Sequence, residues 1–334
     1  MPAETRVPRL IELRVGTLRL ELVSTGAAVR RLVVLEDAGP VDVVLGHADP
    51  AAYGTADGYL GATIGRFGNR IVAGRFSLDG TEHALSTNQY GNTLHGGVDG
   101  FDTREWSVVD EGADRVALAL SSPDGDQGFP GRLDVTVTFT LAPGTVRIYY
   151  AARTDAPTVV NLTNHAYFQL DGAGSGPIDD HRLMVRAGSF LPVREDLVPT
   201  GDVRAVDGTP FDLRRARRLG DVLATDDDQL RRAGGLDHNF VLEGSGMRTV
   251  ARLSGASGRW LEVDTDRPGL QVYTGAHFDG TTVGLDGRPH GPRAGVALET
   301  QGFPDAPNHP EFPSTVLRPG ETYRSTTTWR LGRG

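Results

Sequence analysis

The sequence predicts an all-β protein, a large antiparallel sandwich or barrel with few short helices. Three observations lead there. The dominant hydrophobic period is two, helical periodicity is scarce, and the 334 residues include 44 glycines and 20 prolines, which punctuate short strands and turns.

Taken in order, residues 9–15 and 17–23 alternate as two strands, and 115–121 repeats the pattern. The clearest segment is 133–151. Leu133, Val135, Val137, Phe139 and Leu141 alternate with Asp134, Thr136, Thr138 and Thr140. The turn Ala142-Pro143-Gly144-Thr145 follows, and Val146, Ile148 and Tyr150 resume the alternation, so the whole reads as a hairpin. Runs at 182–186, 248–254, 259–264, 269–274 and 321–330 read as further strands. Helix is expected only at 211–219 and 226–233. No repeat, linker or low-complexity segment divides the chain, so a single domain over 1–334 is expected. The loop Gly172-Ala173-Gly174-Ser175-Gly176-Pro177 lacks G-x-G-x-x-G spacing and leads into no convincing helix; it reads as a loop.

Composition narrows the chemistry. A hydrophobic fraction of 38% supports a sizeable core. With 34 basic and 43 acidic residues the formal charge is −9, which gives no general attraction for nucleic acid or acidic membranes. The runs Arg214-Arg215-Ala216-Arg217-Arg218 and Asp226-Asp227-Asp228 read as solvated faces of short helices or loops. The N-terminus has no apolar signal core, and no stretch approaches the roughly 20 apolar residues of a membrane span, so a cytoplasmic location is expected. There is no cysteine, which excludes disulfides and thiolate chemistry. There is also no lysine, which excludes Schiff bases and a P-loop lysine.

Five segments embed polar groups among apolar or glycine residues. G-A-T-I-G-R-F-G-N-R-I (61–71) carries Asn69 and Arg70, and N-T-L-H-G-G (92–97) carries His95. N-L-T-N-H-A-Y-F-Q-L (161–170), which looks like a strand entering a core, carries His165 and Tyr167. G-L-D-H-N-F-V-L (235–242) carries Asp237 and His238 at a strand entrance; G-V-A-L-E-T-Q-G-F-P-D (295–305) ends an apolar strand with Glu299, Thr300 and Gln301. Each has a plainer reading, as a hydrogen-bonded core histidine, a turn with a surface ion pair, or an Asx-turn. Glu299 resists this most, since a carboxylate ending a buried strand is costly without a partner, though an arginine would satisfy it. Asn161-Leu162-Thr163 matches N-x-T, a pattern that matters only in an exposed loop of a secreted chain. Nine histidines are present without H-E-x-x-H or another tight ligand cluster, and Pro310 stiffens His309-Pro310-Glu311, so no metal is expected. What remains is an acid, a base and several hydroxyl-binding side chains, a set suited to a sugar ring.

The five segments in this order resemble the aldose 1-epimerase (galactose mutarotase) family. P-D-A-P-N-H-P-E-F-P (304–313) and L-R-P-G-E-T-Y (317–323) extend the likeness over nearly the whole chain. The resemblance implies a β-sandwich, the galactose mutarotase-like supersandwich, and interconversion of the anomers of free aldoses without a cofactor. By motif position Glu299 is similar to the family's general base, His165 to its general acid and His95 to its second histidine, near the ring oxygen. Asn69, Arg70, Tyr167, Asp237 and Gln271 (in P-G-L-Q-V-Y-T-G, 268–275) correspond to sugar-contacting positions. Ala166, Gln169 and Gly68 depart from commoner family residues, and I-V-A-G-R after Arg70 lacks a frequent lysine.

The expected partner is a monosaccharide, with no nucleic acid and no membrane, and the protein is expected as a monomer or homodimer. In this reading His165 works protonated, favoured by the nearby carboxylates Glu299 and Asp237. The alternatives are a glycoside hydrolase using Glu299 and Asp237, a phosphosugar epimerase relative, and a non-catalytic sugar-binding protein of the same fold.

Overall fold

The structure, a computed structural model, describes residues 8–55 and 58–334. Three antiparallel sheets dominate it. A nine-stranded sheet runs Ser107–Glu111, Arg115–Ser122, Leu133–Ala142, Thr145–Thr154, Tyr323–Arg333, Arg259–Thr265, Arg248–Ser254, Arg182–Val185 and Arg217–Arg218. A six-stranded sheet runs Tyr167–Phe168, Val296–Gln301, Gly269–Tyr273, Asp237–Leu242, Ala187–Phe190 and Arg204–Ala205. Leu10–Val15, Leu18–Val23, Ala28–Glu36 and Gly39–Asp42 form a four-stranded sheet. The period-two segments thus become strands, and the hairpin 133–151 pairs Leu133 with Thr154 through Ala142 with Thr145.

One apolar cluster draws on all three sheets, from Ile11 and Leu20 through Val137, Phe139 and Ile148 to Val272, Leu298 and Trp329. Trp329 of the nine-stranded sheet meets Phe168 of the six-stranded sheet edge-on, with centroids 5.0 Å apart. Alternation supplies this core: on the central strand Val296–Gln301, Val296 and Leu298 face the cluster, which leaves Ala297, Glu299 and Gln301 for the opposite face.

Helix is as sparse as expected, though one of the two segments is misplaced. Asp228–Ala233 is helical, N-capped by the Asp227 carboxylate on the amides of Gln229 and Leu230, and stopped by Gly234 at φ 66°. The expected helix at 211–219 is instead a turn, the short strand Arg217–Arg218 and the helix Leu219–Leu223. Tertiary packing overrides the local pattern there. Phe211 stacks on Phe190 at 4.1 Å, while Arg214 clamps back onto Asp207 and Asp212. Ala28–Glu36 escaped the period-two pattern because a register shift against Leu18–Val23 breaks its alternation. Asn161 is fully buried, its side chain bonded to Gly302 N and Gly68 O, so the N-x-T match is structural. Among the described residues no helix is long and apolar enough to cross a membrane.

Candidate active site

The site lies on the face of the six-stranded sheet that points away from the core. In ladder register Glu299 sits opposite Gln271, which sits opposite Asn239; one row over, Ala297 sits opposite Tyr273, which sits opposite Asp237. Neighbouring strands therefore present Glu299, Gln271, Tyr273 and Asp237 on one surface. His238 points to the other side, buried against Phe211 at 4.6 Å and bonded to Gln229, so it belongs to the core.

His165 reaches this face through a break in its strand. Thr163–Asn164 pairs with Thr63–Ile64, whereas Tyr167–Phe168 pairs with Val296 and Ala297. Asn164 makes the crossing: its Nδ2 donates to Gly61 O at 2.7 Å and its Oδ1 accepts from Ala166 N at 3.0 Å. His165 N–H donates to Ala62 O, and its carbonyl accepts from Gly61 N. The imidazole is then fixed among Tyr167 at 4.8 Å, His95 at 5.3 Å and Tyr59 at 5.8 Å. The segment 161–170, expected as one strand, is two short strands joined at the histidine it presents.

These elements surround a cleft of about 490 Å³ lined by Asn69, Arg70, His95, His165, Tyr167, Asp237 and Glu299. Seven of the eight residues singled out from the sequence therefore line one cavity. Gln271 stands outside the lining and donates from Nε2 to Asp237 Oδ1 at 2.6 Å. Arg70 Nη2 approaches Asp237 Oδ2 at 3.5 Å, and its Nε donates to Gln89 at 2.7 Å. Both Asp237 oxygens are thus engaged, and Arg70 pairs with Asp237 and leaves Glu299 to another partner. That partner is His165, whose Nε2 lies 3.5 Å from Glu299 Oε1, while Glu299 Oε2 has no hydrogen-bond partner among the described residues.

Burial governs the protonation of this pair. Glu299 is 2% exposed and His165 3%. Desolvation raises Glu299 well above the usual carboxylate range; Asp237 adds to the rise and Arg70 opposes it. Desolvation also pushes His165 down to about 3. The expectation of a protonated His165 is therefore corrected: burial outweighs the attraction of Asp237, and burial places the proton shared by the pair on Glu299. His95 is likewise held well below the ordinary histidine value by burial, with His165 and Arg70 acting in the same sense.

Donor atoms of His95, His165 and Glu299 lie within 4.8 Å of one another, a cluster invisible in the sequence because its members are 70 and 134 residues apart along the chain. Two histidines and a glutamate are a zinc-type donor set. However, His95 Nδ1 already accepts the Asn69 amide at 3.1 Å. Tyr59, Gln89, Tyr90, Tyr273, His277 and Asp279 also line the cleft and were not singled out from sequence; Tyr273 ends the strand of the quoted segment 268–275, and the others come from loops that carry no local motif.

The fold and this site define an acid–base enzyme built on a β-sandwich. The profile of the family described as Aldose 1-epimerase matches residues 9–330. The chain is 45% identical to the galactose mutarotase of Homo sapiens over 325 residues, covering 96% of this chain and 93% of that one. It is 42% identical to the aldose 1-epimerase of Escherichia coli (strain K12) over 305 residues, 90% of this chain and 87% of that one. Among solved structures, the galactose 1-epimerase from Lactobacillus acidophilus NCFM superposes with a TM-score of 0.88 at 29% identity, covering 100% of this chain and 97% of that one. The aldose epimerase homologue from C. elegans gives 0.91 at 29% identity, with 98% and 99% covered. The chain belongs to the aldose 1-epimerase family.

Proposed function

We propose that this protein interconverts the α and β anomers of free aldoses of the glucose and galactose type, with Glu299 and His165 as the proton-transfer pair. The reading rests on its family and on one observation above others: a buried carboxylate and imidazole 3.5 Å apart in a hydroxyl-binding cleft. In ring opening, Glu299 takes the proton of the C1 hydroxyl, C1–O5 breaks, and O5 takes a proton from His165. Rotation about C1–C2 turns the other aldehyde face, and the reverse transfers close the opposite anomer. Each positioned transfer is worth roughly 10²–10⁴-fold.

The protonation that burial favours fits this cycle. Protonated Glu299 with neutral His165 is the pair's state when the open aldehyde is bound; carboxylate with imidazolium is its state with the ring closed. The two differ by one proton moved within the pair, so no net proton enters or leaves. Asp237, braced by Gln271 and Arg70, orients sugar hydroxyls. Asn69 and His95 contribute further donors, and Tyr167 backs the His165 ring. The lining carries Asp237 and Asp279 against Arg70, a balance that favours a neutral sugar over a phosphosugar. The core shared by all three sheets supports reading the chain as a single domain.

Polarimetry tests the reading. Relaxation of α-D-glucose and α-D-galactose should accelerate on adding the protein in buffer containing a chelator. An unchanged rate with both sugars would overturn it.

A further inference from the structure

The chain doubles back at the cleft so that Asn69 and His95 bond each other reciprocally. His95 N–H donates to Asn69 O at 3.0 Å, and Asn69 N–H donates to His95 Nδ1 at 3.1 Å. Arg70 then pairs with Leu94 and Ile71 with Thr93. Asn69 and His95 both adopt left-handed backbone, φ 63° and 53°, a conformation that non-glycine residues keep only where surroundings enforce it. The next residue, Gly96, packs so tightly that a Cβ there would lie 2.0 Å from Gly65 O. The His95 loop therefore has little room to move away from Asn69.

A main-chain N–H can only donate, so the ring nitrogen facing it must offer a lone pair. A neutral imidazole carries one N–H, and with Nδ1 committed as acceptor it falls on Nε2. We infer that His95 acts in the reaction as a permanently neutral Nε2–H donor, and that Asn69 is a positioning residue that locks this tautomer through its main-chain amide. The inference rests on the proposed anomer interconversion and divides labour between the two histidines. His165 carries the mobile proton; His95 donates a hydrogen bond and never gives the proton up. The groups facing His95 agree with this. His165 and Tyr59 meet it edge-on at 5.3 and 4.6 Å, and Arg70 adjoins Asn69 in the chain. An imidazolium would set a second N–H against the Asn69 amide. The same lock opposes a metal at His95, since ligation through Nε2 would need a lone pair there.

The test is long-range ¹H–¹⁵N correlation NMR on the full chain labelled at histidine nitrogens, with His95 assigned by the signals missing from His95→Gln. The expected result is an unprotonated Nδ1 and a protonated Nε2, unchanged from about pH 5 to pH 8. Asn69→Gly, which loses the side chain but keeps the amide and the left-handed backbone, should retain the pattern. An Nε2 lone pair or a doubly protonated ring in the wild type would overturn the inference. Loss of the pattern in a folded Asn69→Gly would also overturn it, because the side chain would then be the lock. The readout does not depend on turnover. A protein that fails to accelerate mutarotation yet shows the expected tautomer would sink the proposed reaction and leave the His95 assignment standing.

Discussion

Replacing Glu299 by glutamine separates the chemistry from the packing. Glutamine has the shape of a protonated glutamate, the form burial imposes on Glu299. The variant therefore leaves the site's charge unchanged and removes only the capacity to accept and return a proton. One positioned transfer is worth roughly 10²–10⁴-fold, about 3–5 kcal/mol of barrier. Stability should respond in the opposite sense. The unfolded chain ionises Glu299 near its ordinary value of 4.5, whereas the folded state keeps the proton to higher pH. Across that window the unfolded state holds fewer protons, so this term is fully present below 4.5 and wild-type stability from it is lost as pH rises. Glutamine has no such term. Glu299→Gln should melt with the wild type near pH 4.5 and increasingly above it as pH rises through the raised folded-state value of Glu299. Polarimetry of α-D-galactose together with thermal melts followed by circular dichroism at several pH values reads both effects. Turnover within about tenfold of wild type, or a variant that loses stability relative to wild type as pH rises, would refute the reasoning.

Three further outcomes follow from the same geometry. His165→Asn should lower turnover roughly 10²–10⁴-fold with an unaltered circular dichroism spectrum; a folded variant with near-wild-type turnover would remove His165 from the reaction. The acid limb of kcat/KM should fall near 3, because activity persists until neutral His165 takes a second proton as pH drops through its depressed value; a limb centred on the ordinary histidine value of 6.5 would contradict this. Hexose 6-phosphates should show a KM raised on the order of tenfold over the free hexoses, since their added charge meets Asp237, Asp279 and an already paired Arg70; an equal or lower KM would reverse the charge argument.

The sheets were legible because exposed and buried side chains alternate along strands such as Leu133–Ala142. Legibility failed where two constraints compete on one segment. Phe211 and Leu213 are held by packing in a turn where local pattern suggested helix, and Ala28–Glu36 loses its alternation at a bulge. At the site, residues in motifs were readable as individual chemistry, and the resemblance grouped them. The sequence could not reveal that Glu299 pairs with His165 while Arg70 turns to Asp237, because that choice depends on strand register. Nor could it give the protonation of the pair, which burial decides. Gln89, Tyr59 and His277 stayed unseen because loops bring them to the cleft without a periodic or motif signal.

The account's central claim is that proton transfer by Glu299 and His165 opens the ring at C1–O5 and leaves C1–O1 intact. Anomerisation of α-D-galactose labelled with ¹⁸O at O1, followed by ¹³C NMR, tests this directly. The account predicts many catalysed interconversions with the label lost no faster than in the absence of protein. Label loss in step with anomerisation would show that C1–O1 breaks and would contradict it.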